Sequence, residues 1–121
     1  MSRSNRVYLD DILQAIRDIR EFTSGMTREQ FMSDRKTQHA CIRDLEVIGE
    51  AVKHLPPDLR DRAPEIEWQK IAELRDILTH EYFGVDRAIL WDIITNKLSD
   101  LRSASERLLA DVDSKGNRST P

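Results

Sequence analysis

The hydrophobic residues of this chain recur every three or four positions, the spacing of helices that bury one side. Residues 7–23 predict a first helix with an apolar stripe of Leu9, Ile12, Leu13, Ile16 and Ile19. Residues 34–55 predict a long central helix whose buried stripe contains Cys41, Leu45, Ile48, Val52 and Leu55. No stretch alternates as a strand would, so we expect helices throughout.

Turn and capping residues set the predicted helix boundaries. Gly25 ends the first helix, and "TREQ" at 27–30 has the form of a capping box that opens a short helix with Phe31 and Met32. Pro56 and Pro57 end the central helix. The segment "PPDLRDRAPEIE" at 56–67 is then expected to be a loop.

Two further helices follow that loop. Trp68 begins one that Gly84 ends, and Asp86 is a suitable N-cap for the last. The last helix has apolar residues at helical spacing, namely Ile89, Leu90, Ile93, Ile94, Leu98, Leu101 and Leu108. The pattern predicts an all-α protein, an up-and-down antiparallel bundle of four long helices plus a short one. Residues 1–121 form one domain, with a core over 7–110 and a flexible polar tail over 111–121.

Composition narrows the class of protein. Charged residues make up 34% of the 121 positions, above the roughly 25% of ordinary globular domains. A single cysteine excludes an internal disulfide, and neither a signal peptide nor an apolar run long enough to cross a bilayer is present. We therefore expect a cytoplasmic protein. The net charge of −3 argues against broad coating of nucleic acid but leaves room for a local cationic cleft.

The segment "LRDILTHEYFGVD" at 74–86 carries the candidate chemistry. Arg75 falls within the apolar face of its helix, where it must either pair with a carboxylate across the bundle or reach out to water. His80 lies about 140° around an ideal helix from Arg75, so the two share no face if the helix stays regular. By spacing alone, His80 could be an exposed or capping residue, and Tyr82 a half-buried aromatic.

The same residues fit the pattern R-x4-H-x-Y, in which Arg75, His80 and Tyr82 are the fixed positions. This motif, followed by "FGVD" and a long helix, resembles the HepT-like branch of the HEPN superfamily. The resemblance extends over about residues 7–110, including "LDDILQAIRDIREFTSGMT" and "IRDLEVIGEAVKHLP". Asp76 stands where many HEPN motifs have asparagine, and it remains a polar residue.

The resemblance implies a HEPN-like fold and a homodimeric, metal-independent endoribonuclease that needs no cofactor. Arg75 would bind the scissile phosphate of an RNA substrate, His80 would be the general acid or base, and Asp76 would support a motif side chain. In such toxin–antitoxin systems the partner is a minimal nucleotidyltransferase, which would attach AMP to Tyr82 and inactivate the toxin. The alternatives are a non-catalytic binding module that serves as partner subunit of a nucleotidyltransferase, and a generic helical adaptor.

Six other positions also need an interpretation. Glu46, Glu50 and His54 at i, i+4, i+8 resemble a metal-binding stripe, but di-metal bundles repeat Glu-x-x-His on a second helix and no second copy is present. An ion-pair face or a subunit interface is the better interpretation. Gly49 indicates close approach by a neighbouring helix. His39 is expected at the surface, and Cys41 in the core as a small hydrophobic residue rather than a nucleophile.

Overall fold

The computed structural model describes residues 4–80 and 86–119, with the side chains of 79, 80 and 115–119 left aside. Within that part every regular element is helical, which confirms the all-α prediction. The helices are α1 Asn5–Thr23, α2 Arg28–Met32, α3 Arg35–His54, α4 Pro57–Arg60, α5 Trp68–His80, α6 Arg87–Asp92 and α7 Leu98–Ser119, with a π-helical turn, Ile93–Lys97, joining the last two. None of the described helices is long and apolar enough to cross a membrane.

The long helices pack in the order α7, α1, α3, α5. Polar contacts at both ends of α1 show its antiparallel pairing with α7: Arg6 pairs with Asp113, and Arg20 donates a hydrogen bond to the Ser99 hydroxyl. The start of α1 also meets the end of α3, so these two helices are antiparallel as well. The predicted up-and-down arrangement is therefore confirmed.

The core lies where the predicted apolar stripes of α1 and α3 face each other. Leu9, Ile12, Ile16 and Ile19 are buried, as are all five residues of the predicted α3 stripe. Burial of one such aliphatic side chain contributes about 1.5–3 kcal/mol. Helical spacing alone therefore identified the main source of stability.

Local capping chemistry fixes the helix starts. Thr27 and Gln30 form the predicted capping box, each side chain accepting a hydrogen bond from the other residue's backbone N–H. Asp86 caps α6 by accepting from the Ala88 N–H at 2.8 Å, also as predicted. Gly25 has φ +74°, a left-handed conformation that ends α1 without steric cost. Gly84, the predicted end of α5, lies outside the described residues.

Helix α2 is attached to the bundle by contacts that sequence spacing did not reveal. The buried Gln38 side chain donates hydrogen bonds to the carbonyl oxygens of Phe31 and Met32, at 2.8 and 3.1 Å. Phe31 is fully buried and packs against Trp91 with ring centroids 5.1 Å apart. Arg87 donates to the Met32 carbonyl at 2.9 Å. Helix α6 is thereby fixed immediately after the motif segment.

The prediction of an uninterrupted loop at 56–67 is wrong. Residues Pro57–Arg60 form the short helix α4 and bury Leu59. Proline ends a helix when it lies in the interior, but it is favoured in the first turn because its missing N–H would have no helical partner there. The Pro-Pro pair therefore ends α3 and also begins α4.

The last helix differs from the predicted one in three respects. A π-helical turn interrupts it at Ile93–Lys97, and Ile94 within this turn and Leu98 directly after it are both buried. Ile89 lies outside the buried stripe and is 58% exposed. Helix α7 continues into the expected tail and ends at Ser119. Val112, within this extension, packs against the core.

The Asp44 carboxylate on α3 lies near the charge of Asp18 on α1. Partial burial, together with the nearby charge of Asp18, raises the pKa of Asp44 to about 6, against the opposing effect of Arg43. An unfolded aspartate has a pKa of about 4. Between these values the folded state binds more protons than the unfolded state, so this site loses stabilising free energy as the pH rises from about 4 to 7.

Replacing Asp44 with asparagine should remove this pH dependence. At pH 7.5 the Asp44→Asn protein should melt roughly 2–5 °C above the wild type, because an amide is neutral beside Asp18. At pH 4 the difference should vanish, since Asp44 is then protonated. Asp100→Asn, which removes a carboxylate on the exposed side of α7, is the matched control. Asp44→Asn and wild-type curves that stay parallel across the pH range would contradict the assignment.

Candidate active site

Helix α5, which carries Arg75, is held at its first residue. The Trp68 indole N–H donates to the carbonyl oxygens of Arg60 and Ala63, at 3.1 and 3.0 Å, and the ring is buried. Leu78 is buried further along the helix. Because an indole has one donor, its hydrogen bonds to the last residue of α4 and to the turn after it fix the start of α5 against the preceding segment.

Arg75 lies where α3 and α5 come closest. A Cβ atom placed on Gly49 would be 2.2 Å from the Arg75 Cβ and 3.2 Å from its Cα. Only a residue without a side chain permits this approach. The prediction that Gly49 marks a close helix contact is confirmed, and the contact partner is Arg75.

Two carboxylates bind the Arg75 guanidinium. Its Nε lies 3.2 Å from Oε2 of Glu50 on α3, and its Nη1 lies 3.4 Å from Oδ1 of Asp76. The Arg75 side chain is 31% exposed. The expectation that Arg75 pairs with a carboxylate across the bundle is therefore confirmed. The cation stays partly exposed while these two described carboxylates orient it.

Asp76 is itself held by a second cation. Lys53 of α3 places its Nζ 2.6 Å from Asp76 Oδ1, the same oxygen that faces Arg75. The hydrogen bond from Lys53, followed by the charges of Lys53 and Arg75, lowers the pKa of Asp76 below its ordinary value. Asp76 is therefore anionic at neutral pH and links the two cations. The motif position predicted to be supporting does contact Arg75.

Glu50 also contacts the end of α3. Its Oε1 lies 3.3 Å from Nε2 of His54, one turn later. The His54 ring stacks on Tyr8 of α1, with centroids 4.8 Å apart and planes 6° from parallel. A surface pocket of about 250 Å³ opens beside these residues and is bordered by Tyr8, Arg43, Glu50 and Arg75.

The metal-binding alternative has no geometric basis in this stripe. Among the described residues, no three histidine, cysteine or carboxylate side chains are grouped closely enough to hold a metal ion. Glu50 and His54 instead form part of the ion-pair network around Arg75. These contacts are those of an ion-pair face, one of the two interpretations favoured by the sequence for this stripe of α3.

Two of the predicted site residues are only partly covered. His80 is the last residue of α5, so its backbone position is known while its side chain is outside the described part. Tyr82 lies entirely outside the described residues. The structure therefore brings together Arg75 and Asp76, and the roles of His80 and Tyr82 stay predictions.

The two remaining candidates behave as expected. Cys41 is fully buried, and burial together with nearby carboxylates raises the pKa of its thiol to about 12. A thiol with so little thiolate at neutral pH is a poor nucleophile. His39 is exposed on α3.

Sequence analysis missed the residues that position Arg75. The sequence pattern does not indicate a role for Lys53 or Tyr8. It indicates Glu50 only as a member of the α3 polar stripe. Their roles depend on how α1, α3 and α5 are rotated about their axes. The available signal was Gly49, because a helical glycine places the residues beside it near the neighbouring helix.

Comparison with known proteins identifies the family. A family model described as "Ribonuclease HepT-like" matches residues 12–108, which is most of the chain and includes Arg75, Asp76, Glu50 and Lys53. The chain belongs to the HepT-like ribonuclease family. The resemblance based on the R-x4-H-x-Y motif is confirmed by this match.

Individual relatives of this HepT-like chain agree in length as well as in sequence. A candidate RNase of Methanocaldococcus jannaschii is 45% identical over 114 residues, which cover 94% of each chain. The protein named "Probable ribonuclease HepT" of Thermococcus cleftensis is 46% identical over 108 residues, 89% of this chain and 98% of the relative. A second candidate RNase of M. jannaschii is 37% identical over 97% of each chain. No solved structure matches the chain significantly.

Proposed function

We propose that this HepT-like protein is the toxin of a HEPN/MNT toxin–antitoxin system and cleaves RNA without a metal ion. The observation that carries the proposal is the Arg75 guanidinium, which is partly exposed beside a pocket and oriented by carboxylates from two helices. A guanidinium so held is a ready site for a phosphate oxygen. The complete R-x4-H-x-Y motif and the family match support the same activity.

RNA contains its own nucleophile, so the chemistry needs few groups. The 2′-oxygen attacks the adjacent phosphorus as its proton passes to a base, and the bond from phosphorus to the 5′-oxygen breaks as that oxygen receives a proton. The products are a 2′,3′-cyclic phosphate and a 5′-hydroxyl end. Arg75 stabilises the negative charge that grows on the phosphate oxygens. His80 transfers protons, a role for which imidazole suits neutral pH.

A homodimer places the two motif residues in one cleft. On a regular helix Arg75 and His80 point about 140° apart, so one helix cannot present both to the same phosphate. Two copies that meet across a two-fold axis can contribute an arginine from one chain and a histidine from the other. Ile77, between them on α5, is 50% exposed and is therefore available for contact with a second copy of the chain.

Tyr82 is the proposed point of control. A minimal nucleotidyltransferase antitoxin would transfer AMP from ATP to the Tyr82 hydroxyl, which loses its proton, forming a phosphodiester there and releasing pyrophosphate. Tyr82 follows Arg75 by seven residues, two turns along nearly the same side of a helix that stays regular. The added anionic group and its bulk would then compete with RNA phosphate for the guanidinium.

Induced expression of the chain tests the proposal. Wild-type protein should arrest growth, and His80→Ala should relieve the arrest, because loss of a proton-transfer group lowers the rate by about 10²- to 10⁴-fold. RNA from arrested cells should carry new 2′,3′-cyclic phosphate ends. Co-expression of the cognate nucleotidyltransferase should restore growth and add the mass of AMP to the peptide that contains Tyr82.

The control separates modification from simple binding. Tyr82→Phe lacks the acceptor hydroxyl, so cells should remain arrested even when the nucleotidyltransferase is present. Rescue of the Tyr82→Phe strain would show that complex formation alone neutralises the toxin. Absence of arrest in every strain, with a tight complex between the two proteins, would favour the non-catalytic partner subunit instead.

A further inference from the structure

The Glu50 side chain makes contacts at both of its oxygens. Oε2 meets Arg75 Nε at 3.2 Å, and Oε1 meets His54 Nε2 at 3.3 Å. Its side chain is nevertheless 50% exposed. A half-exposed glutamate normally keeps several rotamers, and ordering it costs conformational entropy. The pair of contacts limits Glu50 to the rotamer that faces Arg75.

The residues behind Glu50 fix it in turn. His54 stacks on Tyr8, so the chain of contacts begins on α1, crosses α3 and ends on α5. On the other side of the guanidinium, Lys53 holds Asp76 against Arg75. Two independently anchored carboxylates therefore contact different nitrogen atoms of one planar group. Such an arrangement determines the plane of the guanidinium as well as its position.

The stem of Arg75 is restrained as well. Gly49 precedes Glu50 and brings α3 within van der Waals contact of the Arg75 Cβ. Because the helix backbones approach so closely, the Glu50 carboxylate reaches Nε, the nitrogen nearest the stem. A free arginine side chain has many rotamers and loses conformational entropy when it binds an anion. In this arrangement part of that loss has already occurred on folding.

We propose that Glu50 is the positioning residue for Arg75 in RNA cleavage, with His54 and Tyr8 holding Glu50 in place. The inference rests on the ribonuclease function proposed above. Stabilisation of a transition state requires donors that are already oriented, and misplacement by about 1 Å can cost about 100-fold in rate. Glu50 is also an anion beside the phosphate site, so it opposes substrate binding while it improves orientation.

These two effects of Glu50 can be separated by substitution. Glu50→Gln can keep an oxygen acceptor for Arg75 Nε but removes the charge. We expect a kcat within about threefold of wild type and a KM up to about fivefold lower, as expected for loss of one exposed charge interaction. Glu50→Ala removes the acceptor, and its kcat should fall about 10- to 100-fold. A purely structural role would instead lower the melting temperature and the active fraction together, with kcat per folded molecule unchanged.

The kinetic experiment uses the purified full chain and an RNA oligonucleotide that contains a cleavage site mapped on total cellular RNA. The matched control is Glu73→Ala, which removes a carboxylate two residues from Arg75. The Glu73 carboxylate accepts a hydrogen bond from the Gln69 side-chain amide at 3.4 Å. Glu73→Ala should leave kcat within twofold of wild type. Equal kcat for Glu50→Ala and wild type, or equal inactivation by Glu50→Gln and Glu50→Ala, would overturn the positioning role.

A second measurement does not depend on activity. The Arg75 Nε–H signal, assigned in ¹H–¹⁵N spectra by its loss in Arg75→Lys, should show a rigid side chain in wild type and Glu73→Ala and a mobile one in Glu50→Ala. Equal mobility in all of these proteins would refute the positioning of Arg75. A rigid Arg75 in a wild-type protein that cleaves no RNA would refute the proposed function and leave the positioning contact intact.

Discussion

Arg75→Ala should lower kcat for RNA cleavage about 100- to 1,000-fold, the loss typical of removing one donor that stabilises transition-state charge. Arg75→Lys should recover only part of the activity, because an ammonium restores the charge without the planar pair of donors. The measurement is single-turnover cleavage of the mapped RNA oligonucleotide at saturating enzyme. Arg75 makes its contacts with half-exposed carboxylates, so the melting temperature should change little.

Arg107→Ala provides the control for loss of an arginine. Arg107 lies on α7 and pairs with Glu65 in the segment that precedes α5, and it takes no part in the described contacts around Arg75. Its removal should leave the cleavage rate within twofold of wild type. An Arg75→Ala protein that cleaves RNA as fast as Arg107→Ala would exclude Arg75 from the reaction.

Gly49→Ala should damage stability and activity together. The new Cβ would lie 2.2 Å from the Arg75 Cβ, so α3 and α5 must separate. Overpacking of this kind costs about 1–3 kcal/mol, while alanine recovers up to about 1 kcal/mol through its helix propensity. We therefore expect a net loss of about 1–2 kcal/mol in the free energy of unfolding, measured by urea denaturation. Cleavage by the folded protein should also fall, because Glu50 and Arg75 move apart.

A double substitution distinguishes this contact from a general loss of packing. Arg75→Gly removes the atom that clashes, so the stability cost of adding Gly49→Ala to it should be smaller than in the wild type. The difference should be at least about 0.5 kcal/mol, the coupling seen between residues in contact. Equal costs in the two backgrounds would show that the clash with Arg75 is not the cause.

The correctly predicted features are those that depend on interactions between residues close together in the sequence. The capping box at Thr27, the N-cap at Asp86 and the apolar stripe of α3 each depend on spacing within one helix. Helix α4 was not predicted because proline usually ends a helix. Proline is nevertheless favoured in the first turn, which is the position of Pro57 in α4. The π-helical turn was missed because helical periodicity cannot distinguish a slightly wider turn within an apolar run.

The candidate site divides in the same way. Arg75 and Asp76 are found by motif, and Gly49 by its cost within a helix. Glu50 contacts Arg75 only because of the rotation of α3 relative to α5, and Lys53 reaches Asp76 for the same reason. A single sequence contains no direct record of these angles. The residues that orient a catalytic group on a neighbouring helix are therefore the part that needs a structure.

The position of α5 at one end of the row of long helices has a consequence for how the protein opens. Among the described elements, α5 packs mainly on α3, whereas α1 packs on both α3 and α7. Detaching α5 exposes one interface and leaves the α1–α3–α7 core assembled. Its backbone amides should therefore exchange with solvent through a partial opening that costs less free energy than global unfolding. The helix that bears the motif is therefore expected to open without unfolding of the whole domain.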